Sequence, residues 1–238
     1  WGVVSDAKST TDFILTWLQQ HNRTNSPVFI VGESYGTLRA TLIADELSRV
    51  HQQSVNGLVL LSAVQNYRNI RIPDGSVMGH ISYLPTYAAT AWHHKKTGHQ
   101  HAGFEALIKD AQQFAEGGYA NALIRGNRLS NRTKLEIAGK FAYFTGLPTP
   151  LILKSNLRIQ PLDYLSLLLK GDRKKISRLD SRMVGAASGT KKNQYGQDPY
   201  ATLIRKLFVA ATQTYLNDTL NVPTSLGKYI DSARENPG

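Results

Sequence analysis

The clearest chemistry in the chain lies in five consecutive residues, Gly32-Glu33-Ser34-Tyr35-Gly36, a G-x-S-x-G pattern. A serine hydroxyl attacks a carbonyl only when a base accepts its proton and fixed dipoles stabilise the oxyanion that forms. A sharp strand-to-helix turn supplies part of this. It forces the serine backbone into a strained conformation, lifts Oγ clear, and aims the N-terminal dipole of the following helix at the reacting oxygen. Small residues at Gly32 and Gly36 let neighbouring backbone pass closely. Ser34 is therefore the candidate nucleophile. A plain strand-turn-helix connection would use the same glycines.

The flanking sequence provides the elements such a turn needs. Val28-Phe29-Ile30-Val31 is a short apolar run rich in β-branched residues, which predicts a strand buried on both faces. Residues 35–50 predict a helix with Leu38, Leu42, Ile43 and Leu47 on one side. Asn56-Gly57 predicts a turn, and Leu58-Val59-Leu60-Leu61 a second buried strand. A helix over 5–20 precedes them, with Phe13/Trp17 and Ile14/Leu18 spaced i,i+4 and Asp6 at its N-terminal end. Helix, strand, helix, strand is the order of a parallel α/β unit.

Beyond residue 66 the pattern turns helical, over 85–97, 103–116, 130–144, 161–170 and 198–216, with no strand of comparable strength. Pro148 and Pro150 predict a break, and 185–197 a loop.

A nucleophilic serine needs a base, which in this arrangement follows an acid in chain order. The histidines after Ser34 are His51, His80, His93, His94, His99 and His101, and none lies further on. Asp231 is the last Asp but follows no strand. The catalytic Asp and His are expected outside this chain, whose ends (Trp1-Gly2 and Asn236-Pro237-Gly238) read as cuts through a longer protein.

Charge is segregated. The net +11 of the 238-residue chain comes entirely from residues 121–195, which hold 15 basic and 4 acidic residues, while the segments on either side balance to zero. The aromatics there, Phe141, Tyr143, Phe144, Tyr164 and Tyr195, follow helical spacing, which fits a core rather than a base-stacking surface, and no nucleic-acid partner is expected. A non-catalytic basic binding module is the alternative that this charge leaves open. The absence of cysteine removes disulfides, thiolate metal sites and cysteine nucleophiles. No apolar run reaches the roughly 18 residues of a membrane span.

Two weaker patterns point elsewhere. Ser5-x-x-Lys8, Tyr67-x-Asn69 and Lys96-Thr97-Gly98 follow the order used by penicillin-recognising enzymes, but the second and third are too close together and the third sits in a His- and Lys-rich loop. His93-His94 and His99-x-His101 have no carboxylate at ligand spacing between them, and a solvated surface explains them without a metal.

Gly32-Glu33-Ser34-Tyr35-Gly36, preceded by Asn25-Ser26-Pro27 and followed by Thr37-Leu38-Arg39-Ala40, resembles the serine carboxypeptidase family of α/β hydrolases, its bacterial branch most of all. The similarity continues in Trp1-Gly2-Val3 with Asp12-Phe13-Ile14, in Asn56 to Ser62, in Leu84 to His93, in Asn156-Leu157-Arg158-Ile159, in Leu179-Asp180-Ser181-Arg182 and in Asp198-Pro199. The resemblance implies Ser34 as acylating nucleophile and the Tyr35 backbone N–H as an oxyanion donor. It implies Glu33 as a ligand for the substrate's terminal carboxylate through a shared proton, flanked in the substrate site by Gly32 and Gly36. Such a shared proton favours acidic pH, because two facing carboxyl groups cannot both be charged cheaply. Without the resemblance, Glu33 reads first as an acid favoured at a helix N-terminus. The family's Asn-Gly-Gly-Pro-Gly segment, source of a second oxyanion donor, is missing and would precede Trp1.

The resulting expectation is an α/β fold: a partial α/β-hydrolase core over 1–70, a mostly helical cap insertion over 71–197 and a helical return toward the core over 198–238. The expected activity is serine-type carboxypeptidase action on peptides with a free C-terminus, without a cofactor or metal. The resemblance implies a periplasmic or secreted protein. A fragment lacking the base and half of the oxyanion hole would be inactive alone. An esterase or acyltransferase on the same fold is the nearest alternative.

Overall fold

The computed structural model describes residues 2–64, 72–98, 103–187 and 198–222, with the side chains of 205 and 206 left aside. The fold is mixed α/β, and the chain divides into two compact units, Trp1–Tyr67 and Arg68–Gly238.

In the first unit, helix α1 (Val3–Gln20) leads to strand β1 (Phe29–Glu33), helix α2 (Tyr35–Asp45), a π-helical turn (Glu46–Val50) and strand β2 (Gly57–Leu61). The strands pair in parallel, with Phe29 opposite Gly57 and Glu33 opposite Leu61. Ala7, Ile43 and Leu47 form a small core, joined by Ile14, Leu15, Ile30 and Leu42. The packed stripe of α1 runs through Ala7, Thr11 and Leu18. Phe13 and Trp17, expected on the packed face, are exposed, and Trp17 stacks on His21 at 4.4 Å.

The strands are not buried on both faces as their composition predicts. Ile30 and Gly32 face the core, while Phe29 and Val31 are about two-thirds exposed (65% and 64%). The two-residue period of a strand puts alternate side chains on opposite faces, and among the described residues of this unit helix covers one face of the sheet. Leu58 to Leu61 are likewise 40–50% exposed. Asn56-Gly57 is not a turn. The Asn56 N–H donates to the Val28 carbonyl (2.8 Å) and the Val28 N–H to Asn56 Oδ1 (2.9 Å), so the residue extends the ladder. Gly57 lies against the Phe29 ring, leaving no room for a Cβ.

The second unit is mainly helical: α3 (Met78–His93), α4 (Phe104–Phe114), α5 (Ala120–Arg125), α6 (Asn131–Thr145), α7 (Thr149–Lys154), α8 (Pro161–Leu167) and α9 (Pro199–Thr214). Helix α3 begins seven residues before the sequence suggests and carries Pro85 in its interior. Burial of His80, Leu84, Tyr87, Ala88 and Ala91 outweighs the hydrogen bond that proline removes. The break predicted at Pro148 and Pro150 separates α6 from α7: Pro148 is the extended N-cap of α7, and Pro150 sits in its first turn, where a proline forfeits no intrahelical bond. A short antiparallel pair, β3 (Lys174–Ile176) and β4 (Val184–Ala186), lies where the sequence suggests no strand: β3 follows the predicted 161–170 helix, and β4 overlaps the start of the predicted 185–197 loop. Three-residue strands are too short to show a period. Helix α9 touches β4, where Gly185 abuts Pro199.

Buried tyrosines knit this unit together. Tyr87 and Tyr164 stack at 4.1 Å, and the Tyr164 hydroxyl lies 2.9 Å from the carbonyls of both Tyr87 and Thr145. Tyr119 donates to the Leu157 carbonyl at 2.7 Å. Burial pushes all three phenols far up, so they stay neutral donors. Phe141, Phe144 and Tyr164 belong to the same core, as their helical spacing predicts, with Tyr143 packed partly buried against it. Tyr195, Tyr67, Asn69, His99, His101 and Asp231 lie outside the described residues.

Candidate functional site

Ser34 is the single residue between β1 and α2. Its backbone has φ 55° and ψ −117°, a left-handed conformation that costs a side-chain-bearing residue on the order of 1–3 kcal/mol. The surroundings fix it there. The Ser34 N–H donates to the Leu61 carbonyl on β2 at 3.0 Å. The Ser34 carbonyl accepts from the N–H and the hydroxyl of Thr37, at 3.0 and 2.7 Å. Thr37 is buried, so the anchor is shielded from water.

The side chain is left free. Ser34 is exposed, its Oγ does not cap α2, and it has no hydrogen-bond partner among the described residues. Tyr35 is the first residue of α2, and the N–H groups of a first helical turn have no partner within the helix. A nucleophile-sized hydroxyl thus stands at the positive end of an eleven-residue helix. That arrangement suits attack on a carbonyl whose oxygen becomes negative.

The two glycines of the pattern have different parts. Gly32 is buried beneath the turn, and a Cβ there would fall 2.5 Å from the Gly36 carbonyl carbon and 2.9 Å from the Thr37 nitrogen. Only glycine allows the strand to pass so close to the start of the helix. Gly36 supplies the backbone that is approached, but a Cβ on Gly36 itself would meet open space among the described residues. The expectation that both glycines are needed for close passage therefore holds for Gly32 alone. Glu33 ends β1 and is exposed.

One cluster beside the serine escapes sequence reading. Asp6 on α1 accepts a two-pronged bond from Arg39, at 2.6 Å from Nε and 2.9 Å from Nη2, and a third from the Tyr35 hydroxyl at 3.0 Å. The Arg39 guanidinium also lies 5.3 Å from the centre of the Tyr35 ring. Arg39's hydrogen bond holds the Asp6 carboxyl below its ordinary range, and desolvation followed by the bond to Asp6 raises the Tyr35 phenol. The side chain of the residue after Ser34 is thereby held by two helices. The i,i+4 spacing of Tyr35 and Arg39 is visible in sequence, but their meeting with Asp6 across 29 and 33 residues is a tertiary event.

No group of three or more His, Cys, Asp or Glu that could hold a metal occurs among the described residues. His94 Nε2 instead lies 2.7 Å from the Ser181 carbonyl, and His80 is buried with Nδ1 3.3 Å from the Ile159 carbonyl. Among the described residues, no helix is long and apolar enough to cross a membrane. Comparison with protein-family models, curated proteins and solved structures finds no significant match.

Proposed function

We propose that the chain carries the nucleophile of an α/β hydrolase, a serine-type carboxypeptidase that removes C-terminal residues from peptides with a free C-terminus. The observation that carries this reading is the backbone of Ser34, held at positive φ between a strand and a helix with its hydroxyl exposed. The turn combines a positive φ at ψ −117° for Ser34 with a backbone approach that excludes a Cβ at Gly32 beneath it, the combination a strained strand-to-helix nucleophile turn requires. The exposed apolar residues Phe29 and Val31 on one sheet face suit strands within a wider, doubly covered sheet.

In this mechanism Ser34 Oγ attacks the last peptide carbonyl while a histidine outside the described residues takes its proton. The Tyr35 N–H donates to the oxyanion. Collapse breaks the C–N bond, the histidine protonates the leaving amine, and water then hydrolyses the ester to regenerate Ser34. Glu33, next to the nucleophile, shares a proton with the substrate's terminal carboxylate, which favours turnover at acidic pH. A periplasmic or secreted setting fits such a peptidase, and the helical second unit is the cap of the same enzyme.

Matched peptides with free and amidated C-termini test the assignment on the protein expressed from its complete reading frame. Release of the terminal residue only from the free acid, lost in Ser34→Ala, is the expected result. Cleavage of simple esters without any action on free-acid peptides would overturn it in favour of the sister esterase or acyltransferase activity. Salt-sensitive polyanion binding with no hydrolysis would overturn it in favour of a basic binding module.

A further inference from the structure

The second unit contains a half-open cleft of about 870 Å³ between α3, the start of α4 and the segment after β3. Trp92 and Phe104 form its apolar wall, with ring centres 6.5 Å apart and planes inclined at 52°. Among the described residues its charged lining is of one sign: Lys95 and Arg182 contribute to the surface with His93, and no carboxylate does.

The two cations differ in how they are held. Arg182 is clamped by Asp180, with Nε 2.9 Å from one carboxylate oxygen and Nη2 2.7 Å from the other. Two of the five guanidinium N–H donors are spent in this way, and the others have no partner among the described residues. Lys95 follows the C-terminus of α3 at φ 55° and has no carboxylate partner among the described residues. The segment bearing Arg182 is pinned to α3. The Ser181 hydroxyl accepts from Thr90 at 3.1 Å, and the Ser181 carbonyl meets His94 at 2.7 Å. The cleft is thus a preformed pocket with an aromatic wall, one oriented guanidinium and one unpaired ammonium.

We propose that this cleft binds a small organic anion with a flat apolar body, an aryl carboxylate or sulfonate in its simplest form. Trp92 and Phe104 take the ring face and edge, and Lys95 and Arg182 take the anionic group through charge-assisted hydrogen bonds. The proposal concerns the second unit alone and stands whether or not Ser34 is a nucleophile.

The test uses the full chain and 8-anilinonaphthalene-1-sulfonate, followed by energy transfer from tryptophan. N-phenyl-1-naphthylamine, with the same aromatic body and no charge, serves as comparison. The expected result is saturable, single-site binding of the sulfonate, at least fivefold tighter than the neutral amine. Lys95→Glu should weaken the sulfonate at least fivefold and leave the amine unchanged. Thr86→Trp, which fills the cleft from an exposed position on α3, should abolish both. Lys140→Glu changes the net charge equally at an exposed site outside the cleft lining and should leave binding within twofold. Equal weakening by Lys95→Glu and Lys140→Glu would overturn the proposal, because the anion would then be responding to overall charge. Unchanged sulfonate binding in Thr86→Trp would also overturn it.

Discussion

Gly32 and Gly36 meet backbone to backbone: a Cβ on Gly32 would lie 2.5 Å from the Gly36 carbonyl carbon, whereas a Cβ on Gly36 would touch nothing among the described residues. The contact forces the chain to reverse at Ser34 and makes the two glycines of one pattern unequal. Gly32→Ala should destabilise the first unit by about 3 kcal/mol, the upper end of overpacking costs, because backbone rather than a mobile side chain must yield. Gly36→Ala should be neutral or stabilise by up to about 1 kcal/mol, since alanine is the better helix former. Denaturant unfolding of the two variants checks the contrast.

Strain at Ser34 should be measurable as stability. Glycine relieves a positive-φ cost of about 1–3 kcal/mol while adding about 0.5–1 kcal/mol of unfolded-state entropy. Ser34→Gly is therefore expected to stabilise the fold by about 1 kcal/mol while removing the hydroxyl. Ser34→Ala, which keeps a Cβ, should show no such gain. A rise in urea midpoint at constant m-value for the glycine variant alone checks this.

The Asp6–Arg39 pair predicts a pH signature. Arg39 depresses the folded carboxyl below its ordinary value, so the stabilisation is present in full above the ordinary aspartate range. It is lost as pH falls through the depressed folded value. Arg39→Met should lower Tm by no more than a few degrees at pH 7, because the pair is partly exposed, and the two proteins should converge in strong acid. Thermal melts across that range check the direction.

Asp198 joins the start of α9 to the segment after β3. It accepts from the Ser177 hydroxyl at 2.6 Å, from the Arg178 N–H at 2.7 Å and from the N–H groups of Tyr200 and Ala201 at the helix N-terminus. Burial raises its pKa, but these four donors together outweigh that effect and hold the carboxyl below its ordinary value. Asp198→Ala should cost about 3 kcal/mol, from the lost cap and the donors left unpaired. Asp198→Asn, still an acceptor, should cost roughly 1 kcal/mol. Hydrogen exchange at Arg178, Tyr200 and Ala201 should quicken most in the alanine variant.

Much of the first unit is legible in the sequence because its signals are local. The β-branched run before Gly32 and the helical spacing after Ser34 bracket a turn with no freedom to lie elsewhere. What escapes depends on neighbours. Phe29 and Val31 look like core but lie on a sheet face that no helix covers among the described residues of this unit, which composition cannot reveal. Asp6 reads as a favourable acid at a helix start, yet its partners are Arg39 and Tyr35, close only once α1 and α2 have packed. In the second unit Pro85 misleads because a proline's cost depends on its position in the helix and on the burial around it. The cleft beside Trp92 is equally invisible in sequence, since Arg182 reaches it through contacts between Ser181 and α3.

A fluorophosphonate probe reports on the proposed nucleophilicity of Ser34 without any need for a substrate. Applied to the protein expressed from its complete reading frame, with adduct mapping by mass spectrometry, the probe should modify Ser34 alone, at a rate that rises as the catalytic base loses its proton. Ser34→Ala should give no adduct. A folded protein that leaves Ser34 unmodified under conditions where a known serine hydrolase is labelled to completion would rule Ser34 out as the nucleophile.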